Sequence, residues 1–463
     1  MKGLAKDLAH LVGPEGFSTD PEDLLVYRHD AIAYFAQGEP AAVVLPKDTV
    51  HAAKVMAYAS QNGIPLTPRG AGSGLSGGCT PVRGGIVLDT KRMKGILEIN
   101  RGNLTARVEA GVVLAAFQQA VEAQGFFYPP DPQSKSVCTL GGNVATRAGG
   151  PRAVKYGTTV NYVLGLEAVL PDGEVIRTGS SCVKHSAGYD LTHLLTGSEG
   201  TLALITQATV RLLPKPPATC TALAVCPTME MAARIVSETI AGGVVPSMLE
   251  LLTTASLAVF NRFVTPPLPE EGEACLLMEF DGTAQEALRQ AQEMAGACRD
   301  MGAIDVRVVP QADEAAVYWM VRSRLYPLVV SRFKRVVTED VTVPRDRIPE
   351  FAAKVMGIAQ EMGLSMGLTG HAGDGNMHPT IRMDEVTDAL QARADQAMAR
   401  VIKAGLALGG VISGEHGVGL HKAEFLELEL GREQIALMRR IKKAFDPKGI
   451  MNPGKIWPPE LAS

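Results

Sequence analysis

Arg69-Gly70-Ala71-Gly72-Ser73-Gly74-Leu75-Ser76-Gly77-Gly78 packs five glycines into ten residues, between an extended proline-containing piece and a strand that starts near Gly85. Glycine permits positive φ and close backbone approach to a ligand, so successive N–H groups in such a loop can point at phosphate oxygens. Arg69, Ser73 and Ser76 add side-chain donors. The loop lacks the Gly-Lys-Ser/Thr ending of a Walker A sequence. Leu75 takes the last glycine position of a GxGxxG reading, and no long helix follows. Alone, the loop is weak evidence and is also compatible with a surface turn.

Two further segments share its character. Pro129-Pro130-Asp131-Pro132 leads into Thr139-Leu140-Gly141-Gly142-Asn143-Val144-Ala145-Thr146-Arg147-Ala148-Gly149-Gly150-Pro151, and Gly197-Ser198-Glu199-Gly200-Thr201-Leu202-Ala203-Leu204-Ile205-Thr206 follows a polar stretch. Three glycine and hydroxyl loops in one α/β region suit a long pyrophosphate-bearing cofactor wrapped by backbone. Around them, Asp48 reads as an N-cap for a helix over 49–62, with Gly63 in the αL position that closes it. Strands are expected over 85–89, 105–109, 163–170 and 174–178, and a helix over 112–124 closed by Gly125. Leu212-Leu213-Pro214-Lys215-Pro216-Pro217 is a stiff proline segment suited to a domain boundary. Beyond it, strand–helix–strand patterns recur over 221–251 and 274–309. Two such halves predict an antiparallel sheet with helices on one face, as in ferredoxin-like α+β folds.

Length and composition bound the rest. At 463 residues one hydrophobic core is exceeded, so two domains are expected. A 46% apolar and 20% charged composition is that of an ordinary globular protein. A net charge of −4 without a basic block gives no reason to expect nucleic acid or an anionic membrane surface as partner. No apolar run reaches the roughly 18–20 residues of a membrane span, and the charged N-terminus lacks the apolar core of a signal peptide. A reducing cytoplasm is the expected location. The seven cysteines form no CxxC pair, which argues against cysteine-type structural zinc and an internal iron–sulfur cluster and reads as buried free thiols. Electrons moved by this chain must therefore go to something outside it.

A second cluster lies downstream. His371, His378, His416 and His421 are four of the chain's nine histidines and fall within 51 residues, among glycines and beside Glu415. Two histidines and a carboxylate, with a coordination position left open, are what a catalytic divalent-metal site requires. His371 and His378 stand seven positions apart and would face opposite ways on one regular strand, but Gly373 and Gly375 permit a turn between them. Asp374 either orients a histidine or caps that turn, and His421 is read either as a neighbour of the cluster or as surface. His10, His29, His51, His185 and His193 are read as structural.

The order of these segments resembles the FAD-binding domain of the vanillyl-alcohol oxidase/p-cresol methylhydroxylase superfamily. The histidine segments and Met451-Asn452-Pro453-Gly454-Lys455 extend the resemblance to its D-2-hydroxyacid dehydrogenase branch, from about Asp20 to Trp457. It implies an α+β protein. A two-part FAD-binding domain (1–215) would precede a ferredoxin-like substrate and metal-binding cap domain (216–445), with a C-terminal segment (446–463) returning to the flavin. Arg69, Gly70, Ala71, Gly72, Ser73, Gly74, Leu75 and Ser76 would hold the pyrophosphate. Pro130, Asp131, Thr139, Gly141, Gly142, Asn143 and Ala145 would line the flavin and ribityl region. Glu199, Gly200 and Ile205 would lie along the adenosine, and Asn452 would approach the isoalloxazine. With no histidine in the first loop, the FAD is expected to be non-covalent.

The resemblance further implies His371, His378 and Glu415 as metal ligands, His416 as the catalytic base, and Arg322 as the residue gripping the substrate carboxylate. Arg324 is the rival arginine on the same helix, and Lys334 and Arg335 are further cations near it. Zinc is the first expectation from two nitrogens and a carboxylate, with manganese, iron and cobalt open. The implied activity is oxidation of a D-2-hydroxy acid to the 2-oxo acid, with hydride passing to flavin N5. The acceptor would be an electron-transferring flavoprotein, an iron–sulfur subunit, a cytochrome or a quinone. A homodimer is one assembly open to it, and a partner would be what holds the cytoplasmic protein at the inner face of the membrane. His378-Pro379-Thr380 departs from the His-x-Asn of 2-hydroxyglutarate-type relatives and favours D-lactate or glycolate over D-2-hydroxyglutarate. A zinc hydrolase or a non-catalytic oxidase subunit is the rival from another class, and each leaves part of the pattern idle.

Overall fold

Asp48 accepts the N–H of His51, and Gly63 closes the same helix at φ 62, so Thr49–Asn62 (α1) has both of its ends specified locally. This helix joins Ala42–Val44 (β1) to Leu66–Arg69 (β2), and both pair in parallel with Ile86–Asp89 (β3). The connection is the β–α–β unit that parallel strands need. The structure is a computed structural model and describes residues 3–32 and 37–457. Of the C-terminal segment read as 446–463, residues 458–463 lie outside the described residues.

A five-stranded antiparallel sheet follows. Its order is Ile96–Asn100 (β4), Thr105–Glu109 (β5), Leu204–Arg211 (β8), Val163–Val169 (β6) and Val175–Gly179 (β7). The helix expected over 112–124 is shorter, Leu114–Glu122 (α2), with Gly125 at φ 80 beyond its end. The glycine segment after Thr139 is a helix rather than a loop, Leu140–Thr146 (α3), with Thr139 accepting from the N–H of Gly142. The two glycines lower helix propensity. Gly141 is demanded by packing, since a Cβ there would fall 2.6 Å from that of Ala110.

The chain divides into two units, one of residues 1–149, 158–215 and 415–463, the other of 150–157 and 216–414. The second is built on one antiparallel sheet. Asp305–Val309 (β12), Ala218–Cys226 (β9), Ala274–Gly282 (β11) and Met248–Thr253 (β10) run in that order, the arrangement expected of two interlocked β–α–β halves. Beyond β10 the sheet continues through Met366–His371 (β14), Asn376–Met383 (β15) and Arg335–Thr338 (β13), an extension the sequence reading did not include.

The helices do not lie on one face only. Met229–Ala241 (α4) and Ala284–Asp300 (α5) pack on the side of Ala222, Ala224 and Cys226, where burial and the nearby Cys298 raise the pKa of the Cys226 thiol. Strand alternation sends Leu223 and Val225 the other way. There they form a core with Leu252, Leu277 and Tyr318, Val321 and Leu325 of Ala312–Arg332 (α6). Of the seven cysteines, five are buried and Cys79 partly so, but Cys182 is exposed, against the expectation of buried thiols throughout.

Candidate active site

Four pieces of the first unit meet through their backbones. Asn452, at φ 45, donates from Nδ2 to the carbonyls of Gly78 (2.9 Å) and Glu199 (2.8 Å), joining the first and third glycine segments. The N–H groups of Gly197 and Glu199 bond to the carbonyls of Val144 and Ala145 in α3. Thr139 Oγ1 sits 2.3 Å from where a Cβ on Gly70 would be, and Pro68 lies 3.0 Å from one on Gly200. The structure thus brings together Gly70, Thr139, Gly142, Ala145, Glu199, Gly200 and Asn452.

This arrangement fits an FAD. Among the described residues, no N–H of residues 71–76 has a hydrogen-bond partner, so Ala71, Gly72, Ser73, Gly74, Leu75 and Ser76 keep a run of donors for phosphate oxygens. Oδ1 of Asn452 and Nδ2 of Asn143 are buried with no hydrogen-bond partner, the mark of polar groups awaiting a ligand. Pro130 is buried with its carbonyl held by Gln118 at 2.8 Å, and Asp131 and Ile205 are buried as well.

Two residues expected along the cofactor, Arg69 and Glu199, are also tied into the protein itself. Arg69 reaches beneath its own loop to the carbonyls of His29 (2.8 Å) and Val26 (3.1 Å), with its guanidinium over the Tyr27 ring. Gly72 must be glycine because a Cβ would strike that guanidinium at 2.1 Å. Glu199 directs both carboxylate oxygens at the N–H groups of Val418 (2.8 Å) and Gly419 (2.7 Å). Burial pushes its pKa up, although those bonds and the nearby Lys455 and Lys422 oppose the rise. Glu199 therefore grips the segment that starts at His416. Ser76 holds the same segment from the first loop, accepting from Leu420 (2.7 Å) and His421 (3.2 Å) through its carbonyl. His416 and His421 are half-buried.

In the second unit, β14 ends at His371, residues 372–375 turn, and β15 starts at Asn376. The register sets His371 opposite Asn376 and Thr369 opposite His378. Residues opposite each other in a sheet share a face, and so do residues two apart along a strand. The turn thereby places on one face two histidines that a single strand would separate, with ring centroids 5.2 Å apart. Asp374 caps the turn by accepting the N–H of Asn376 (3.0 Å), and Gly375 takes φ 84.

Each ring is held from behind. Glu250 on β10 has no exposed surface and accepts from Nδ1 of His371, and the Glu339 carbonyl faces Nδ1 of His378 at 3.3 Å. With Nδ1 engaged, Nε2 is the atom left for ligation. The nitrogen and oxygen donors of His371, His378 and Glu415 all lie within 4.8 Å of one another, and this donor set suits a divalent ion.

Arg322 is 7% exposed and ion-paired through Nη2 to Glu250 Oε2, while its Nε has no hydrogen-bond partner. Arg324 is exposed. Burial alone would raise the Glu250 pKa, but the charges of Arg322 and His371 together bring it below the usual range. Glu250, Glu339 and Asp340 had no motif to announce them. Their signal is register, since pairing Leu251 with Gly370 sets Glu250 beside His371.

Among the described residues no helix is long and apolar enough to cross a membrane. A family model described as FAD linked oxidases, C-terminal domain, matches residues 215–456, and one described as FAD binding domain matches 40–179. The chain is 40% identical to glycolate oxidase subunit GlcD of Bacillus subtilis (strain 168), over 98% of this chain and 97% of that protein. It is also 40% identical to a D-lactate dehydrogenase of Archaeoglobus fulgidus, over 89% and 90% of the two chains. In fold it is similar to substrate-bound p-cresol methylhydroxylase, at 19% identity with a TM-score of 0.80 over 98% of this chain and 96% of that one. A cofactor cradle of unpartnered N–H groups, joined in one chain to an antiparallel α+β unit, thus has its place: the chain belongs to the FAD-linked oxidases, shares the fold of p-cresol methylhydroxylase and is an FAD-dependent oxidoreductase.

Proposed function

We propose that this enzyme oxidises a small 2-hydroxy acid, D-lactate or glycolate, to the 2-oxo acid with the help of a divalent metal, zinc first. The observation that carries this reading is the convergence of His371, His378 and Glu415 one residue before His416. The relatives named as a glycolate oxidase subunit and a D-lactate dehydrogenase supply the substrate class.

The reaction removes a hydroxyl proton and a hydride from C2. FAD, when bound, supplies the two-electron acceptor, and a divalent ion held by His371, His378 and Glu415 supplies the Lewis acidity that favours ionisation of the hydroxyl. His416 is the base: its neutral imidazole takes the hydroxyl proton. Glu199 and Ser76 fix the backbone that carries it, limiting the directions from which the ring can approach. Arg322 binds the carboxylate. Its pairing with Glu250 fixes the guanidinium plane and leaves Nε, buried and without a hydrogen-bond partner, as a donor still to be used. Thr380, whose hydroxyl lies 3.1 Å from that of Thr338, offers no long polar arm to a second carboxylate, which favours a small monoacid over 2-hydroxyglutarate. Electrons then leave to an acceptor outside the chain.

The test is anaerobic bleaching of flavin absorbance by a panel of D- and L-2-hydroxy acids, before and after treatment with chelator. Bleaching by D-lactate or glycolate that chelator abolishes and zinc restores is expected. Bleaching by L-acids alone, or bleaching indifferent to metal, would overturn the proposal.

A further inference from the structure

Asp340 has no exposed surface and lies between β13 and the short strand Val341–Thr342. Its carboxylate gathers donors from two separate segments. Oδ1 accepts from Asn376 Nδ2 (2.7 Å) and the Gly414 N–H (3.1 Å), and Oδ2 accepts from Ser413 Oγ (2.8 Å) and the same N–H (3.0 Å). Asn376 opens the strand that bears His378 and stands opposite His371 in register. Gly414 directly precedes Glu415. The approach leaves no slack, since a Cβ on Gly414 would fall 1.7 Å from Asn376 Nδ2 and 2.3 Å from Thr342 Oγ1.

We propose that Asp340 is a positioning residue for the metal centre. It sets the spacing between the His371/His378 hairpin and Glu415, so that the three donors converge before an ion arrives. This inference rests on reading His371, His378 and Glu415 as ligands. Donors that must be drawn together at the moment of binding lose affinity, whereas a pre-formed set does not. A buried carboxylate persists only where hydrogen bonds replace its water, and here those bonds fall on the two segments that carry the ligands. Removing it takes the acceptor from the Gly414 N–H and leaves the Asn376 amide only its bond to Thr342 Oγ1 (3.0 Å). Neighbouring Glu339, whose carbonyl faces His378, makes the same dipeptide the backing for one ring as well.

The test uses the full-length, FAD-loaded protein with zinc, titrated against a chelator to read zinc affinity for the parent, Asp340→Ala, Asp340→Asn and Asn261→Ala. Flavin content and the melting temperature of the metal-free form record folding independently. Asn261→Ala removes hydrogen bonds to Leu268 in the same unit (2.7 and 2.9 Å) and serves as the structural control. Asp340→Ala should weaken zinc binding about 10- to 100-fold with flavin content unchanged, the usual effect of losing a group that orients a ligand. Asp340→Asn should fall between parent and Asp340→Ala, because its amide can accept from Gly414 or face Asn376 but not do all that the carboxylate does. Asn261→Ala should lower the melting temperature while leaving zinc affinity within about twofold of the parent.

Parental affinity in both Asp340 variants overturns the inference, as does an equal loss in Asn261→Ala. If Asp340→Ala fails to fold, Asp340→Asn decides, and parental affinity there is the overturning result. A parent protein that binds no divalent metal removes the ligand reading itself and this inference with it.

Discussion

Glu250, without exposed surface, accepts a hydrogen bond from Nδ1 of His371 and is ion-paired with Arg322. One carboxylate therefore governs both the ring that would ligate a metal and the guanidinium that would hold a substrate carboxylate. Glu250→Gln keeps the shape and loses the charge, and its zinc affinity should drop by about 10- to 100-fold in a chelator titration. Glu250→Ala leaves Arg322 buried without its counter-charge. It should destabilise the protein by about 3–5 kcal/mol, read from thermal or urea unfolding.

The turn between the two histidines is sterically determined. Gly375 lies at φ 84, and a Cβ there would sit 2.0 Å from the Val343 carbonyl oxygen. Gly363, at φ 60, has nothing within 4 Å of the same position. Gly363→Ala should lose only the left-handed backbone term, about 1 kcal/mol. Gly375→Ala must also move backbone and should cost about 3 kcal/mol or more, with loss of zinc binding as the hairpin shifts. Comparable melting temperatures for the two variants would contradict this account.

Asn452 holds two carbonyls with its amide nitrogen and leaves a buried oxygen without a partner. Asn452→Ala should lower FAD affinity by about tenfold or more, since two buried hydrogen bonds and a ligand contact are lost together. The flavin-to-protein ratio after dialysis and a titration with free FAD measure the effect. Full flavin retention would show that Asn452 only braces the backbone.

Lys455, 2% exposed, donates to the Thr80 carbonyl, and burial lowers its pKa from 10.5 to about 8, although Cys79, Asp30 and Glu199 pull the other way. Between those two pH values the unfolded chain binds more protons than the folded one, so stability should rise with pH across that window. Below about pH 8 both states carry the proton and the burial penalty is present in full. The rise should be at most about 3 kcal/mol. Lys455→Met should flatten the profile of melting temperature between neutral pH and pH 10, and an unchanged slope would locate the titration elsewhere.

Much of the fold was legible where its causes are local. Asp48 and Gly63 mark α1 because a cap and an αL residue act on their own helix. The β–α–β halves of the second unit show in alternating apolar patterns. The helix Leu140–Thr146 was misread as a loop because its glycines weaken propensity, while the contact with Ala110 that requires one of them is thirty-one positions away. The strands that extend the second sheet beyond β10 are held by pairings as distant as Leu251 with Gly370, which no local pattern encodes.

The candidate site divides the same way. Residue type and spacing alone marked a glycine loop at 69–78 able to cradle phosphate, and marked His371, His378 and Glu415 as a donor set suited to a metal, because donor chemistry is a property of the side chains themselves. Only the tertiary structure decided how each donor is used. Register put both histidines on one face of the sheet. Hydrogen bonds to the carbonyls of Val26 and His29 engaged the Arg69 guanidinium with backbone. Pairing across the chain made Glu199, Glu250 and Asp340 the groups that hold the reactive segments in place. These assignments depend on which distant segment satisfies each buried polar group, a relation that exists only once the chain has folded.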